Sequence, residues 1–291
     1  ALPLARLLDA DIISLDSMAI YRGMDIGTAK PSAAERGQVR HHLLDVRSPN
    51  EEFSLSEYVQ AAHRCVAQIR SRGREPLFVG GTPLYLKSML RGVYEGPPAD
   101  WEFRRQVEQE VREVGLGALR ERLLQVDPLS AAKLHPNDQR RMIRALEVYK
   151  LTGRPISHQQ THFERGQPAD KCRVFALQWP RAVLHERINQ RVDAMFSSGL
   201  VEEVEALLAE FGQLSRTASQ AVGYREVLQM LAGERSREQT IEKVKSRTRQ
   251  FARRQETWFR HLSECRGLPL DLPLDAGKLA GRIRVAAVAA P

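Results

Sequence analysis

The sequence is poor in cysteine and has no long apolar segment. Its three cysteines lie far apart and form no Cys-x-x-Cys pair, which argues against a zinc site and a disulfide scaffold and favours a reducing compartment. No apolar run approaches the roughly 20 residues that a membrane-spanning helix needs. We therefore expect a cytoplasmic protein without membrane association. With 42% apolar and 27% charged residues among 291, the composition suits one large or two ordinary globular domains.

Acidic residues are too few to balance the basic ones. The net charge is +8, and the excess is concentrated in the segments 243–260 and 139–154. Two concentrated basic segments favour a polyanionic partner, although a basic run can also be an ordinary solvated helix face.

A metal site is not indicated by the adjacent histidines His41 and His42. Neighbouring residues on a strand point to opposite faces, and no third ligand lies at a useful spacing.

The order of the predicted elements indicates an α/β fold. Strands are predicted over 11–15 and 75–79, with a helix over Ser54–Arg70 between them, whose Ser54 and Glu57 form a capping box. A strand–helix–strand unit of this kind predicts a parallel sheet flanked by helices. The segment 101–160 shows only helical periodicity and predicts an all-helical insertion. A strand over 174–179 is expected to return to the sheet.

The predicted domain limits follow from these elements. Residues 1–98 and 170–268 form the α/β core, 99–169 the helical insertion, and 269–291 a tail. The last long helix carries an apolar stripe of Ile241, Val244, Phe251, Trp258 and Leu262, which predicts a packed face.

Asp16 directly follows one predicted parallel strand, and Thr82 lies in the Gly80-Gly81-Thr82-Pro83 turn that ends the other. Either residue could simply cap the structure that follows it. However, the carboxyl ends of parallel strands open into one crevice, where α/β sheets bind ligands. The two side chains are therefore predicted to meet there.

Six blocks of the sequence resemble one family. They are DSMAIYRGMDIGTAKP, HHLLD, PLFVGGTPLYLKSML, HPNDQRRMIRALEVYKLTGRP, AVGYRE and RTRQFARRQETWFR, in this order. Together they resemble the bacterial tRNA dimethylallyltransferases, also called tRNA isopentenyltransferases, and the resemblance extends to about Leu268.

The resemblance implies a specific reaction. Such enzymes transfer the dimethylallyl group of dimethylallyl diphosphate to N6 of the adenosine immediately 3′ of the anticodon, in tRNAs that read codons starting with U. It further implies the fold of P-loop nucleotide kinases with their ATP-binding loop, Mg²⁺ as cofactor, a helical insertion that grips the anticodon stem-loop, and a cytoplasmic monomer.

The resemblance also assigns roles to residues. Asp16 matches the general base, Thr82 lines the reaction channel, and Arg191 with Arg187 is our candidate for binding the diphosphate; an exposed basic helix face is the alternative for both arginines. Lys30 and Thr28 either contact the donor or the RNA, or belong to an exposed loop. The positions that match tRNA contacts are Asp16, Ser17, Met18, Ala19, Thr82, Arg104, Arg140, Arg141, Met142, Ile143, Arg144, Gln220, Ala221, Val222, Gly223, Tyr224, Arg225, Thr248, Arg249, Gln250, Arg253, Arg254 and Gln255.

Two departures from the family stand out. Ala1–Leu8 matches only the end of the first helix, so the phosphate loop, its lysine and the hydroxyl ligand of Mg²⁺ are not among residues 1–291. Either the chain has been shortened or, as we favour, a mobile loop has been left out. Ala19 replaces a residue that is polar in many relatives, so its side chain has no polar contact to offer. A small-molecule kinase and a non-catalytic RNA-binding protein remain the alternative functions.

Overall fold

The computed structural model describes residues 1–159 and 166–288. The chain divides into two compact units, Ala1–Leu90 with Gly166–Pro291 and Arg91–Arg165. The second unit corresponds to the predicted helical insertion, although it begins earlier along the chain than residue 99. No helix in the described ranges is both long enough and apolar enough to cross a membrane.

The first unit contains the predicted parallel sheet. Strands β1 (Ala10–Leu15), β2 (His41–His42) and β3 (Glu75–Gly80) are arranged in the order β2-β1-β3. Both pairings of β1 are parallel, and Leu15 lies opposite Gly80. Every residue of the central strand is buried, including the polar residues Asp11 and Ser14. The prediction of adjacent parallel strands that end at one edge is confirmed.

Four helices accompany this sheet: α1 (Leu2–Leu7), α2 (Ala33–Gln38), α3 (Leu55–Arg70) and α4 (Pro83–Arg91). The predicted capping box at the start of α3 is present, because Ser54 accepts from the amide of Glu57 and the Glu57 carboxylate accepts from the amide of Ser54. This reciprocal pair satisfies two amides that would otherwise lack a partner.

The second unit is helical, with α5 (Trp101–Val126), α6 (Pro128–Lys133) and α7 (Gln139–Thr152). Helix α5 is interrupted at Gly115, whose φ of 85° is not helical. Leu123, Met142 and Val148 belong to the core of this unit. The helical character of the insertion is thus observed in its described residues.

The expectation that strand β4 (Val174–Gln178) returns to the first sheet is wrong. This strand pairs instead with β5 (Cys265–Pro269) in a separate two-stranded parallel sheet. This pairing could not be predicted because β5 lies at the end of the predicted core and has no alternating pattern. The predicted tail, 269–291, contains the helix α12 (Ala276–Val288).

The remaining helices, α8 (Arg181–Ser197), α9 (Leu200–Phe211), α10 (Tyr224–Leu231) and α11 (Arg237–His261), share one core. The predicted stripe along α11 is only partly buried. Val244 lies in the core, whereas Phe251 and Trp258 are 42% and 38% exposed. Helical spacing alone could not show that in this part of α11 the core is contacted by Ala252 rather than by Phe251.

Candidate active site

Asp16 follows the last residue of β1, and its carboxylate folds back onto the next loop. The Oδ1 atom accepts hydrogen bonds from the amides of Met18, at 2.7 Å, and Ala19, at 3.2 Å. Hydrogen bonds to a carboxylate are stronger than those between neutral groups, so these two bonds fix the orientation of the carboxyl group. No donor in the described ranges contacts Oδ2.

Thr82 contacts Ser17, the residue that follows Asp16. Its Oγ1 accepts a hydrogen bond from the amide of Ser17 at 3.1 Å and lies 3.4 Å from the Ser17 hydroxyl. The amides of Gly81 and Thr82 both donate to the Leu15 carbonyl. The loop after β1 and the turn after β3 are therefore joined directly.

Helix α11 contacts the same turn through Gln255. The Gln255 side-chain amide donates a hydrogen bond to the carbonyl oxygen of Gly81. A Cβ atom on Gly81 would lie 2.4 Å from Gln255 Nε2, and one on Gly80 would lie 2.3 Å from the Leu15 carbonyl oxygen. Gly80 is required because the Leu15 backbone approaches too closely for a side chain, whereas a side chain at position 81 would require the end of the Gln255 side chain to shift.

Two stacked tyrosines lie close to Asp16. The rings of Tyr58 and Tyr85 have centroids 3.8 Å apart, and the Tyr58 hydroxyl donates to the Ser14 carbonyl at 2.9 Å. Burial raises the pKa of both tyrosines far above the usual value, and the nearby charge of Asp16 adds to the rise. Both hydroxyl groups therefore remain protonated at neutral pH.

Lys30 has neither of the roles considered for it. Its side chain is only 1% exposed, and its Nζ lies 2.6 Å from Asp25, Asp45 and the Tyr21 carbonyl. Three acceptors occupy the three N–H donors of the ammonium group, so it holds the loop together and has no donor left for a ligand. The Thr28 hydroxyl likewise donates to the Met24 carbonyl at 2.6 Å.

Glu203 on α9 is the organising residue that sequence reasoning missed. Its carboxylate accepts hydrogen bonds from the amides of Asp25, at 3.0 Å, and Ile26, at 2.7 Å, and from the Tyr224 hydroxyl at 2.5 Å. Burial, followed by the charge of Glu203, raises the pKa of Tyr224. No local motif marks Glu203, because its partners are far away in the sequence.

The segment 220–225 lies mainly inside the first unit. Ala221 and Tyr224 are buried, while Arg225 donates to the Gln220 side chain at 3.1 Å. The buried carboxylate of the next residue, Glu226, accepts a hydrogen bond from Arg247 at 2.8 Å. The exposed polar groups of this segment are the ones that can reach a ligand.

The basic residues predicted on α11 are divided between packing and solvent. Arg249 donates to Asn189, and the Thr248 hydroxyl donates to the Val244 carbonyl. Gln250, Arg253 and Arg254 are exposed.

Arg187 and Arg191 are one turn apart on α8, and both are exposed. The Arg187 guanidinium lies over the Trp179 ring, 4.4 Å from its centroid. In the described ranges, neither arginine contacts Asp16 or Thr82 by a hydrogen bond or an ion pair. The structure therefore does not bring the predicted diphosphate ligands into direct contact with the predicted base.

In the second unit, the Glu147 carboxylate forms ion pairs with two of the arginines that were predicted to contact RNA. This carboxylate is 0% exposed and accepts from Arg104 at 2.7 Å and from Arg144. Met142 and Ile143 are buried, whereas Arg140 and Arg141 at the start of α7 are exposed. Two of the predicted RNA-contacting arginines are thus held by a buried acid, and two face solvent.

Known proteins similar to this chain point to one family. Residues 19–262 match the family model described as IPP transferase. A tRNA dimethylallyltransferase from Rhodopirellula baltica is 54% identical over 260 residues, which are 89% of this chain and 78% of the relative.

Solved structures agree. A tRNA isopentenylpyrophosphate transferase from Bacillus halodurans is 36% identical, with a TM-score of 0.69, and the match covers 99% of this chain and 91% of that one. A eukaryotic dimethylallyltransferase acting on tRNA is 26% identical, with a TM-score of 0.72, over 92% of this chain and 69% of that one. The resemblance seen in the six sequence blocks is confirmed: the chain belongs to the IPP transferase family.

Proposed function

We propose that this protein transfers a dimethylallyl group from dimethylallyl diphosphate to N6 of the adenosine immediately 3′ of the anticodon in tRNAs that read codons starting with U. The observation that carries the proposal is the junction of Asp16 and Thr82. They follow adjacent parallel strands and are linked through the Ser17 amide, where α/β sheets bind their ligands.

Asp16 is assigned as the general base. The lone pair of the adenine amine is conjugated with the ring, so the amine is a poor nucleophile unless its proton is removed as the new bond forms. A C–N bond forms to the dimethylallyl carbon, the bond from that carbon to the diphosphate oxygen breaks, and the N6 proton passes to Asp16. Oδ2 is the oxygen assigned to this proton, since Oδ1 is occupied by two amides.

The departing diphosphate requires cations, because negative charge grows on it as the carbon–oxygen bond breaks. Arg191 is assigned this role, with Arg187 beside it. The stacking of Arg187 on Trp179 holds one guanidinium in place with its planar edge free for phosphate oxygens.

Mg²⁺ is the divalent ion that we propose for the diphosphate donor. It is usually held by one or two carboxylates together with substrate phosphates and water. Within 1–159 and 166–288, however, no group of three or more His, Cys, Asp or Glu side chains could hold a metal ion. These residues do not form a site for Mg²⁺ by themselves, so no step is assigned to the ion.

Binding of tRNA is assigned to the basic surfaces of both units. Exposed arginines, namely Arg140, Arg141, Arg253 and Arg254, suit phosphate contacts, which dominate the affinity for nucleic acids. Extruding the target base from its stack costs a few kcal/mol, and these contacts offset that cost. We further propose that the enzyme is a monomer and acts in the cytoplasm on its tRNA substrate.

The decisive experiment replaces Asp16 by Asn in the full-length protein. Turnover, measured as the mass gain of a defined tRNA, should fall by about 10²–10⁴-fold, the usual contribution of a general base. The affinity for tRNA should change little, because the amide keeps the size of the carboxylate. Asp170→Asn, at an exposed position, is the matched control. A near-normal rate for Asp16→Asn would remove Asp16 as the base.

A further inference from the structure

We propose that a second site, at the edge of the sheet where β1 and β3 begin, binds a small phosphorylated anion. A cavity of about 520 Å³ lies there, and its charged and titratable lining consists of Asp11, Arg36, Arg40, His41, Arg72 and Arg74. Its volume is within the range of small-molecule binding sites.

The cavity is separate from the candidate active site. Asp11 lies at the beginning of β1, and Asp16 follows the end of the same strand. A strand rises about 3.3 Å per residue, so the two carboxylates are separated by roughly 16 Å along it. A ligand in the cavity therefore cannot be the donor or the acceptor that Asp16 serves.

A buried carboxylate sets the positions of two of the guanidinium groups. Asp11 is 2% exposed, and its oxygens lie 2.8 Å from Arg74 Nε, 3.1 Å from Arg72 Nη2 and 2.9 Å from His42 Nε2. Burial alone would raise the pKa of Asp11, but the hydrogen bond with His42 and the charges of Arg74 and Arg72 lower it overall. Asp11 is therefore ionised, and it holds Arg72 and Arg74 at the wall of the cavity.

The carboxylates nearby do not use up the donors of the arginines. Arg74 also contacts Asp9 at 3.2 Å, and Arg36 pairs with Asp45 at 2.6 Å. Arg74 and Arg36 each donate one further hydrogen bond, to the backbone carbonyls of Ala10 and Pro31 respectively. A guanidinium has five N–H donors, so two or three such contacts still leave donors for a further anion. The cavity thus combines four guanidinium groups with only one carboxylate in its lining.

Arg40 gives the clearest sign of a ligand. Its backbone is fixed, because its carbonyl accepts from the Ile12 amide at 2.9 Å, while its side chain is exposed at the cavity. Within the described part of the chain, no carboxylate pairs with this guanidinium. The fold therefore places at the cavity a fourth arginine whose side chain pairs with no carboxylate in the described residues.

The lining indicates which kind of anion fits. Guanidinium groups bind phosphate oxygens through paired N–H donors, and several of them converge here on one concave space. The His41 imidazole is the only ring among the lining residues, so recognition rests on phosphate rather than on stacking of a base. The concave shape favours a small phosphate ester over the backbone of an RNA.

Calorimetric titration of the full-length protein tests the proposal, with inorganic phosphate, AMP and adenosine as probes. Phosphate and AMP should bind and adenosine should not. Arg40→Gln should weaken AMP about tenfold, the loss expected for one charge-assisted contact. Arg112→Gln, an exposed arginine of the other unit, should leave AMP binding unchanged.

Arg191→Gln separates this site from the proposed donor site and from the proposed function. If the cavity binds the anion, the affinity for AMP survives Arg191→Gln and falls with Arg40→Gln, whatever the outcome for prenyl transfer. Equal affinities of the wild type and Arg40→Gln would overturn the proposal, as would adenosine binding as tightly as AMP. A loss of tRNA affinity with unchanged AMP affinity in Arg40→Gln would assign the cavity to RNA and also overturn it.

Discussion

The backbone amide of Ser17 donates a hydrogen bond to Oγ1 of Thr82 across 3.1 Å. The bond joins Ser17, which follows the proposed base Asp16, to Thr82, which precedes helix α4. The Thr82 hydroxyl therefore sets the path of the loop that carries Asp16.

Replacing Thr82 by Val should slow prenyl transfer roughly 10-fold or more, because an unpaired, partly buried amide costs about 1–3 kcal/mol and frees the loop. Thr82→Ser keeps the acceptor oxygen and should stay within a few-fold of the wild type. Single-turnover rates under saturating tRNA measure the effect. Equal rates for the Val and Ser variants would show that the hydroxyl does not position the base.

The contact between Gly81 and Gln255 gives a second prediction. In Gly81→Ala the new methyl group would collide with the Gln255 side chain, so activity should drop. The double variant Gly81→Ala/Gln255→Ala should recover part of it, because removing the far end of a flexible side chain relieves the clash.

Gly80→Ala is the comparison for this pair. Its methyl group would meet the Leu15 backbone, which no side-chain deletion can move, so Gln255→Ala should give no recovery there. If Gly81→Ala is fully active alone, the turn tolerates the side chain and the predicted clash is wrong.

Local patterns were enough to predict β1, β3, α3 and the parallel pairing that brings the loop after β1 next to the turn after β3. Continuous apolar runs identify buried parallel strands, and Ser54 with Glu57 marks the start of a helix. The active-site prediction then needs only that parallel strands end at one edge of a sheet.

Contacts between distant segments could not be predicted in this way. Glu203 reads as an ordinary exposed acid on a helix, and Lys30 as a loop lysine, until packing brings their partners to them. Phe251 and Trp258 fit a helical stripe, but the sequence does not show that Ala252 rather than Phe251 contacts the core. The pairing of β4 with β5 was missed for the same reason.

Glu203 is predicted to stabilise the loop 25–27 through its charge. Glu203→Gln keeps the shape but weakens the hydrogen bonds from the Ile26 amide and the Tyr224 hydroxyl. Hydrogen bonds to charged groups contribute about 1.5–3 kcal/mol, so the free energy of unfolding in urea should fall by about that amount. Glu202→Gln, at the exposed neighbour, should change it little.

A double-mutant cycle with Tyr224→Phe separates the hydroxyl contact from the amide contacts. Neighbouring residues in one network should couple by about 0.5–3 kcal/mol. A coupling energy near zero would contradict the bond between Glu203 and Tyr224.

Glu147 makes the stability of the helical unit depend on pH. Burial alone would raise the pKa of Glu147, but hydrogen bonds from Arg104, Arg144 and the Asp100 amide lower it overall. A carboxyl group whose pKa is lower in the folded state stabilises the fold above its unfolded pKa of about 4.3, and this stabilisation is lost as the pH falls towards the folded pKa.

Glu147→Gln should therefore destabilise the helical unit by about 3–5 kcal/mol at pH 7, as expected when one partner of a buried ion pair is removed. The difference from the wild type should shrink as the pH falls below 4. Hydrogen exchange of α5 and α7 at several pH values measures the stability of this unit. Glu121→Gln, at an exposed position of α5, is the control. A difference that stays constant from pH 7 to pH 3 would show that the charge of Glu147 is not what holds Arg104 and Arg144.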